Sequence, residues 1–199
     1  MKKIISTLIM TLVVSIAFGQ LRVNTNGSFG TYTNVPLNFS VGNVKSGTTG
    51  SSSNLNVSFG YQALLSNSSG LNNTAMGYNA IRANTQGTSN TAYGCSALDS
   101  NTGKNNTATG ADALAASGNG GSNCAFGVGS LLANTTGNSN TGVGYWALSN
   151  NTIGENNTAV GFMAGVTSGG LNNTTAIGRQ ATVTSNDQVR LGNYLVSSV

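Results

Sequence analysis

The chain has 199 residues, of which only 6% are charged, 28 are glycine and none is histidine. An ordinary globular domain carries about 25% charged residues, and no Lys/Arg run interleaved with aromatic residues is present, so the composition argues against nucleic-acid binding. Disorder is disfavoured as well, because 38% of the residues are hydrophobic and they recur at regular intervals.

Residues 1–19 have the pattern of a secretory signal peptide. Lys2 and Lys3 precede a mainly apolar run from Ile4 to Ala17, which closes at Phe18-Gly19-Gln20. This run is shorter than the roughly twenty residues that a membrane-spanning helix needs, and a retained anchor is the alternative. We therefore predict a bacterial export product, outside the cell or on its outer surface, with no transmembrane anchor within the chain. Six basic and four acidic residues remain after residue 19, a net charge of +2.

Residues 20–53 are predicted to form short strands, a cap and a loop ahead of the main domain. Leu21 to Gly27 and the alternating Leu37, Phe39 and Val41 indicate strands. The Gly/Ser/Thr-rich stretch from Gly42 to Asn54 is typical of a loop.

Residues 54–184 contain a short motif that recurs with an almost constant period. Asn73-Thr74-Ala75-Met76-Gly77 returns as Asn90-Thr91-Ala92-Tyr93-Gly94 and in later copies. The motif glycines are separated by 17 residues, once by 16, which indicates one structural unit stacked on copies of itself. They are Gly60, Gly77, Gly94, Gly110, Gly127, Gly144, Gly161 and Gly178.

Each unit reads as a short strand, a bend at glycine, an apolar segment ending in Ala-Leu, and a polar turn with a second glycine. Helical repeats need 33 residues or more, and frequent Gly and Asn disfavour helix. The sequence therefore predicts an all-β parallel solenoid of about eight turns of 17 residues. Identical side chains one turn apart can form hydrogen-bonded ladders, and this role is predicted for Asn73, Asn90, Asn106, Asn123, Asn140 and Asn157.

Two columns of side chains alternate along the motif strand. The residue before each glycine is mostly large and apolar, as in Met76 and Phe126, whereas the residue before that is small, as in Ala75 and Ala125. We predict that the flat small column packs against neighbouring copies of the chain in a closed symmetric assembly. The alternative is that the small column lines a narrow interior.

The motif resembles a known family. Residues 73–81 and 140–148, which share Asn-Thr-x-x-Gly-Tyr-x-Ala, are similar to the head repeats of trimeric autotransporter adhesins, the YadA-like heads, and to repeats of phage-type tail fibres. The resemblance covers about residues 54–193. It implies a left-handed parallel β-roll, three chains around one axis, and binding to host or environmental surfaces.

Residues 185–199 are predicted to be a closing segment, because residues 185–193 are similar to the segment that closes such heads. In that family a stalk, a membrane anchor or a self-cleaving chaperone domain follows. We expect either a fragment of a longer fibre or a released protein that is anchored in another way.

The inventory of chemical groups argues against catalysis. The chain has no histidine, and its acids, Asp99, Asp112, Glu155 and Asp187, lie at four different places in the repeat. No nucleophile has an evident base, and the turns lack the carboxylates of calcium-binding β-rolls. The sequence predicts no enzyme, no metal site and no cofactor. Cys95 and Cys124 occupy different positions of the repeat, and we predict that both are small buried residues rather than a disulfide.

Aromatic residues after the motif glycines are the candidate contact residues: Tyr61, Tyr78, Tyr145 and Trp146, with Phe162 beside them. Tyr and Trp are favoured at recognition surfaces, although the aromatic column could instead lie partly buried under the next turn. Trp146 is the first choice for an exposed contact. The predicted ligand is a surface protein, a matrix protein or a glycan.

Three functions follow as hypotheses. The first is a homotrimeric adhesin or fibre head that mediates attachment. The second is an ice-binding or other lattice-matching solenoid, because Thr74, Thr91, Thr107, Thr141 and Thr158 form a regular column, which Cys124 interrupts. The third is a purely structural fibre segment.

Overall fold

The computed structural model describes residues 55–193 and, ahead of them, the backbone of four short strands. Those strands are β1 (Leu21–Val23), β2 (Phe29–Thr31), β3 (Asn38–Val41) and β4 (Val44–Thr48). The predicted signal peptide and the end of the predicted closing segment, residues 194–199, lie outside the described residues. All regular structure in the described part is β, without any helix.

Nine parallel strands form the main wall. They are β5 (Val57–Phe59), β6 (Thr74–Met76), β7 (Thr91–Tyr93), β8 (Thr107–Thr109), β9 (Cys124–Phe126), β10 (Thr141–Val143), β11 (Thr158–Val160), β13 (Thr175–Ile177) and β15 (Val189–Leu191). Neighbouring strands of the wall pair in register, so that Ala75 lies beside Ala92 and Thr141 beside Thr158. The predicted β-solenoid of about eight 17-residue turns, here called rungs, is confirmed.

The amino-terminal edge of this wall is closed by a hairpin. Strands β3 and β4 pair antiparallel, and β4 pairs antiparallel with β5 through Gly47–Phe59 and Thr48–Ser58. Strands β1 and β2 form a separate antiparallel pair. The prediction of a loop from Gly42 to Asn54 was wrong over β4, because the open edge of β5 offers backbone groups that a strand can satisfy.

The motif glycines make the bend that follows each parallel strand. Their φ angles lie between 114° and 142°, a region that side-chain-bearing residues rarely adopt. A Cβ atom on Gly94 would also lie 2.5 Å from the carbonyl oxygen of Gly110 in the next rung. Two independent constraints therefore require glycine at this position: the backbone angle and the close stacking of the rungs.

The segment after the glycine is held in left-handed backbone conformations by non-glycine residues. In one rung Asn79 has φ of 56° and Ile81 has φ of 49°, and each such residue costs about 1–2 kcal/mol. The backbone N–H of Ile81 donates to Ala97 O at 2.9 Å, and that of Asn79 donates to Tyr61 O at 2.9 Å. Hydrogen bonds between rungs thus offset the local strain.

The interior is narrow and is filled by small residues facing branched ones. Ala75, Ala92, Ala108 and Ala125 have no exposed surface, and Leu98 and Leu114 pack against them with none either. The prediction that the small column packs against other chains was wrong, because this column lines the interior. A single rung of 17 residues encloses too little space for Phe or Met opposite Leu, so the large column faces outward.

One exchange of residues preserves this packing. At rung five Ser130 replaces the alanine of the apolar segment, and at rung six Gly142 replaces the strand alanine. A Cβ on Gly142 would lie 2.5 Å from Ser130 Oγ, and that hydroxyl donates to Gly142 O at 3.0 Å. The larger side chain is accommodated by the smaller one in the adjacent rung.

Buried asparagines tie the rungs together. The backbone N–H of Asn123 donates to Asn106 Oδ1 at 2.9 Å, and Asn106 Nδ2 donates to Gly120 O at 2.8 Å. The same pair of bonds recurs through the predicted ladder, whose members Asn73, Asn90, Asn106, Asn123, Asn140 and Asn157 have at most 1% exposed surface. Each buried amide is satisfied from both sides, as a low-polarity interior requires.

A second buried column follows seven residues after the motif glycine. Asn84 Nδ2 donates to Asn67 Oδ1 at 2.8 Å, and Asn84 Oδ1 accepts the backbone N–H of Gly87 at 2.8 Å. The column consists of Asn67, which is half-buried, and the fully buried Asn84, Asn101, Ser117, Asn134 and Asn151. This column was not predicted from the sequence, although the 17-residue period marks it as clearly as the first.

Candidate functional site

The outer face of the parallel wall carries a row of mainly large apolar side chains, here called the apolar stripe. Their exposed fractions range from 38% at Val143 to 63% at Phe59. The stripe consists of Phe59, Met76, Tyr93, Phe126, Val143, Val160, Ile177 and Leu191, and Thr109 interrupts it once. At about 4.8 Å per rung it extends roughly 38 Å along the solenoid.

No charged side chain faces outward from these strands within the described residues. The threonine column, which includes Thr74 and Thr141, lies beside the stripe and is half-buried. Arg190, the one charged residue of the nine strands, takes the inward position that alanine takes in earlier strands, and it pairs with Ala176 in register. Exposed apolar surface of this extent without charge is typical of a protein interaction site.

The predicted aromatic contacts fall into two separate groups. Tyr61 and Tyr78 stack with ring centroids 5.7 Å apart, and Tyr145 stacks on Phe162 at 5.4 Å. Trp146 lies beside Tyr145, with centroids 6.1 Å apart. All five keep at least 38% of their surface exposed. Aromatic side chains on successive rungs therefore stack on each other and stay partly exposed. They are partly buried under the next turn, as one interpretation of the sequence had it, and accessible for contact, as the other had it.

The two groups do not form one site. Four rungs separate Tyr78 from Tyr145, roughly 19 Å at about 4.8 Å per rung. Between them the same column carries Cys95, Ala111 and Val128. The second group, at rungs six and seven, adjoins a concave surface.

That surface is a shallow groove of about 250 Å³ beside Trp146. The indole and Met163 provide its apolar side, and Ser149, Asn150 and Gln180 line it with polar side chains. None of these three polar side chains forms a hydrogen bond to another residue in the described part of the chain. Their donors and acceptors are therefore available to a ligand.

The groove arises where the repeat changes. In the earlier rungs the apolar segment ends in Ala-Leu, with leucine or isoleucine in left-handed conformation, as at Leu148 with φ of 52°. The next rung keeps the alanine as Ala164 but has Gly165 at the leucine position, and Gly165 and Val166 form strand β12 (Gly165–Val166). This strand pairs with β14 (Thr182–Val183). A Cβ on Gly165 would lie 3.1 Å from the backbone of Leu148, and glycine removes the side chain that leucine or isoleucine provides at this position in the earlier rungs.

The charged groups are dispersed rather than clustered. Arg82 and Asp99 form a two-pronged ion pair between adjacent rungs, at 2.7 and 3.0 Å, and this hydrogen-bonded contact raises the pKa of Arg82. Arg179 lies over the Phe162 ring at 6.0 Å. Within the described residues no three His, Cys, Asp or Glu side chains are grouped so that they could hold a metal ion.

The cysteines are free, and the prediction that both are buried was wrong. Cys95 is exposed and Cys124 is half-buried. Cys124 replaces the outward threonine of its strand, and Cys95 occupies the aromatic column. Both positions face outward because the inward ones belong to Ala and Asn. Partial burial raises the pKa of the Cys124 thiol.

Among the described residues there is no helical segment with the length and hydrophobicity of a membrane span. No protein-family model, curated protein or solved structure matches the chain.

Proposed function

We propose that the chain is a non-enzymatic attachment protein, the head of a homotrimeric adhesin or fibre that is exported to the bacterial surface or beyond. The observation that carries the proposal is the apolar stripe. The resemblance of residues 54–193 to YadA-like head repeats supports it, as do the signal-peptide pattern and the absence of histidine from the sequence.

The stripe explains why the chain would associate with itself. Large side chains such as Phe126 (44% exposed) and Tyr93 (45% exposed) leave much apolar surface in contact with water, and burying it is favourable by about 25 cal/mol per Å². Every copy carries the same stripe parallel to its solenoid axis. A closed ring of copies would bury all stripes at once, and three is the number implied by the resemblance.

A trimer would also serve attachment. Three identical outer surfaces on one axis can engage a surface at three points, which raises avidity without any new contact. The aromatic groups and the groove beside Trp146 lie off the stripe and would stay accessible in such an assembly.

The lattice-matching alternative has weaker support. Ice-type lattices require a flat array, whereas Phe126 and Tyr93 project beside the threonine column, and Cys124 replaces one of its hydroxyls. An ice-recrystallisation assay at micromolar concentration checks this alternative, and inactivity would end it.

The association test measures the mass of residues 20–199 in solution by light scattering. We expect three times the chain mass for the natural sequence and a monomer for Tyr93→Lys with Phe126→Lys, because the charges would be buried between copies. Ile153→Lys is the matched control, since Ile153 is 59% exposed but lies in a turn away from the stripe, and it should stay trimeric. A monomeric natural chain would contradict the proposal.

The attachment test uses particles coated with residues 20–199 and offered to cells, matrix proteins and glycans. We expect saturable adhesion that free protein inhibits. Failure to adhere to any of these surfaces would remove attachment as the function while leaving the trimer to be judged by its mass.

A further inference from the structure

We propose that the groove beside Trp146 binds a single neutral sugar ring. The inference names the ligand class of the proposed attachment function, and its biological meaning rests on that function. Its physical basis is independent of the apolar stripe, because it depends on the indole, its support and the polar side chains around it.

The indole is held in place by the rung before it. Trp146 lies over Gly129, which has φ of 64° and occupies the same position of the repeat one rung earlier. A Cβ on Gly129 would lie 2.8 Å from the indole Nε1 and 2.9 Å from Cδ1. The other rungs carry Gln62, Asn79, Ser96, Asp112, Met163 and Gln180 at this position. Gly129 is thus the residue whose missing side chain lets the large ring lie flat.

The indole is partly exposed where it borders the groove. With Gly129 beneath it, Trp146 keeps 38% of its surface exposed, and it borders the groove together with Met163 and Gln180. Gly165, Val166 and Thr182 line the depression beside it. A pre-positioned aromatic platform next to a depression loses little conformational entropy when a ligand arrives.

The chemistry of the lining selects an uncharged, hydroxyl-rich ligand. No charged residue lines the groove, and the nearby guanidinium of Arg179 lies over Phe162 instead. An aromatic face packs against the apolar C–H face of a sugar ring. The amides of Asn150 and Gln180 can each donate and accept hydrogen bonds, which matches the dual character of sugar hydroxyls.

Size limits the ligand to about one ring. The groove of about 250 Å³ is smaller than the roughly 300–1,000 Å³ of pockets that enclose drug-sized molecules. We expect weak binding, with a Kd on the order of 1 mM, since few atoms are contacted. Three copies on a trimer would convert such weak sites into useful avidity.

Trp146 is the single tryptophan of the chain, so its fluorescence reports on this groove alone. Residues 20–199 are titrated with the methyl glycosides of glucose, galactose, mannose and N-acetylglucosamine, and with glycerol as a polyol without a ring. We expect a saturable change in emission with at least one glycoside and none with glycerol. The absence of a saturable change with all four would overturn the inference.

Variants locate the site. Gln180→Ala and Asn150→Ala should each weaken binding about fivefold, the effect of one lost hydrogen bond, and Gly129→Ala should weaken it by tilting the indole. Asn119→Ala, an exposed asparagine in another turn, is the matched control and should bind as the natural chain does. Circular dichroism checks that each variant is folded. Equal binding by the natural chain and by both amide variants would also contradict the site.

The two proposals fail separately. If coated particles adhere to cells but no glycoside changes the emission of Trp146, the sugar site is wrong and attachment stands. If a glycoside binds but the particles adhere to nothing, the site stands and the attachment function is wrong.

Discussion

Removing one asparagine side chain from the ladder tests how neighbouring rungs are held together. In Asn106→Ala the buried N–H of Asn123 and the buried carbonyl of Gly120 lose their partners at 2.9 and 2.8 Å. Asn101 Oδ1 also loses a donor at 3.0 Å but keeps Ser117 Oγ at 3.3 Å. Each buried polar group left without a partner costs about 1–3 kcal/mol.

The two fully orphaned groups give a loss of roughly 2–6 kcal/mol in the free energy of unfolding. This is a large share of the total, since domains are stable by about 5–15 kcal/mol. Urea unfolding followed by circular dichroism and by Trp146 fluorescence measures it. Because repeat proteins can unfold in parts, disagreement between the two signals in Asn106→Ala would indicate that the lesion uncouples the rungs on its two sides.

The matched control is Asn119→Ala, which removes an exposed amide without a recorded hydrogen bond in the described residues. It should change the free energy of unfolding by no more than about 0.5 kcal/mol. If Asn106→Ala were as mild as this control, the ladder would not be a source of stability, and the reasoning would be refuted.

Three further predictions concern single positions. Gly94→Ala should lower the free energy of unfolding by about 3 kcal/mol or more, because φ of 142° is strained for alanine and the new Cβ would lie 2.5 Å from Gly110 O. A loss below about 1 kcal/mol, measured by urea unfolding, would contradict the requirement for glycine between stacked rungs. Ser58→Ala should raise the free energy of unfolding by about 1 kcal/mol, since Ser58 Oγ is buried without a hydrogen-bond partner in the described structure. A loss of stability in urea unfolding would show that the hydroxyl does form a hydrogen bond in the folded chain. In the folded chain Cys95 should be alkylated before Cys124 at mildly alkaline pH, because Cys95 is exposed and burial raises the pKa of Cys124, which lowers its thiolate fraction. Peptide mass spectrometry over time measures the order, and alkylation of Cys124 first would contradict the prediction.

Most of the fold could be predicted from the period of the repeat. Copies of Asn-Thr-Ala-x-Gly at 17-residue intervals predict rungs in register, and Thr141 does pair with Thr158. The alternation along the strand separates Ala75 from Met76 but does not say which of them faces inward, since neither column is charged. That choice depends on the cross-section of the whole rung, which leaves no room for Met76 opposite Ile81.

The local backbone was harder to predict for a different reason. Left-handed φ is expected at glycine and asparagine, yet Ile81 and Leu98 adopt it as well, with φ of 49° and 53°. Tertiary hydrogen bonds between rungs override the intrinsic preference at these positions. Strand β4 (Val44–Thr48) escaped prediction in the same way, because its partner is the sheet edge and not a local signal.

The groove could be predicted only in part. Trp146 is conspicuous as the single tryptophan, and its exposure was expected. Its support by Gly129 depends on contacts between residues that lie one rung apart in the chain. Only the aligned rungs bring Gly129 under the indole and Gln180 to the rim.

The stacking of rungs in register is the claim on which the stripe, the ladder and the groove all depend. It is tested most directly with Thr107→Cys in a Cys95→Ser background and a short thiol-to-thiol cross-linker, because Thr107 and Cys124 are register partners, about 4.8 Å apart. We predict a cross-link within one chain for this variant and none for Thr74→Cys, which lies three rungs from Cys124 at roughly 14 Å. Equal cross-linking of both variants, or none in Thr107→Cys, would contradict the stacked-rung account.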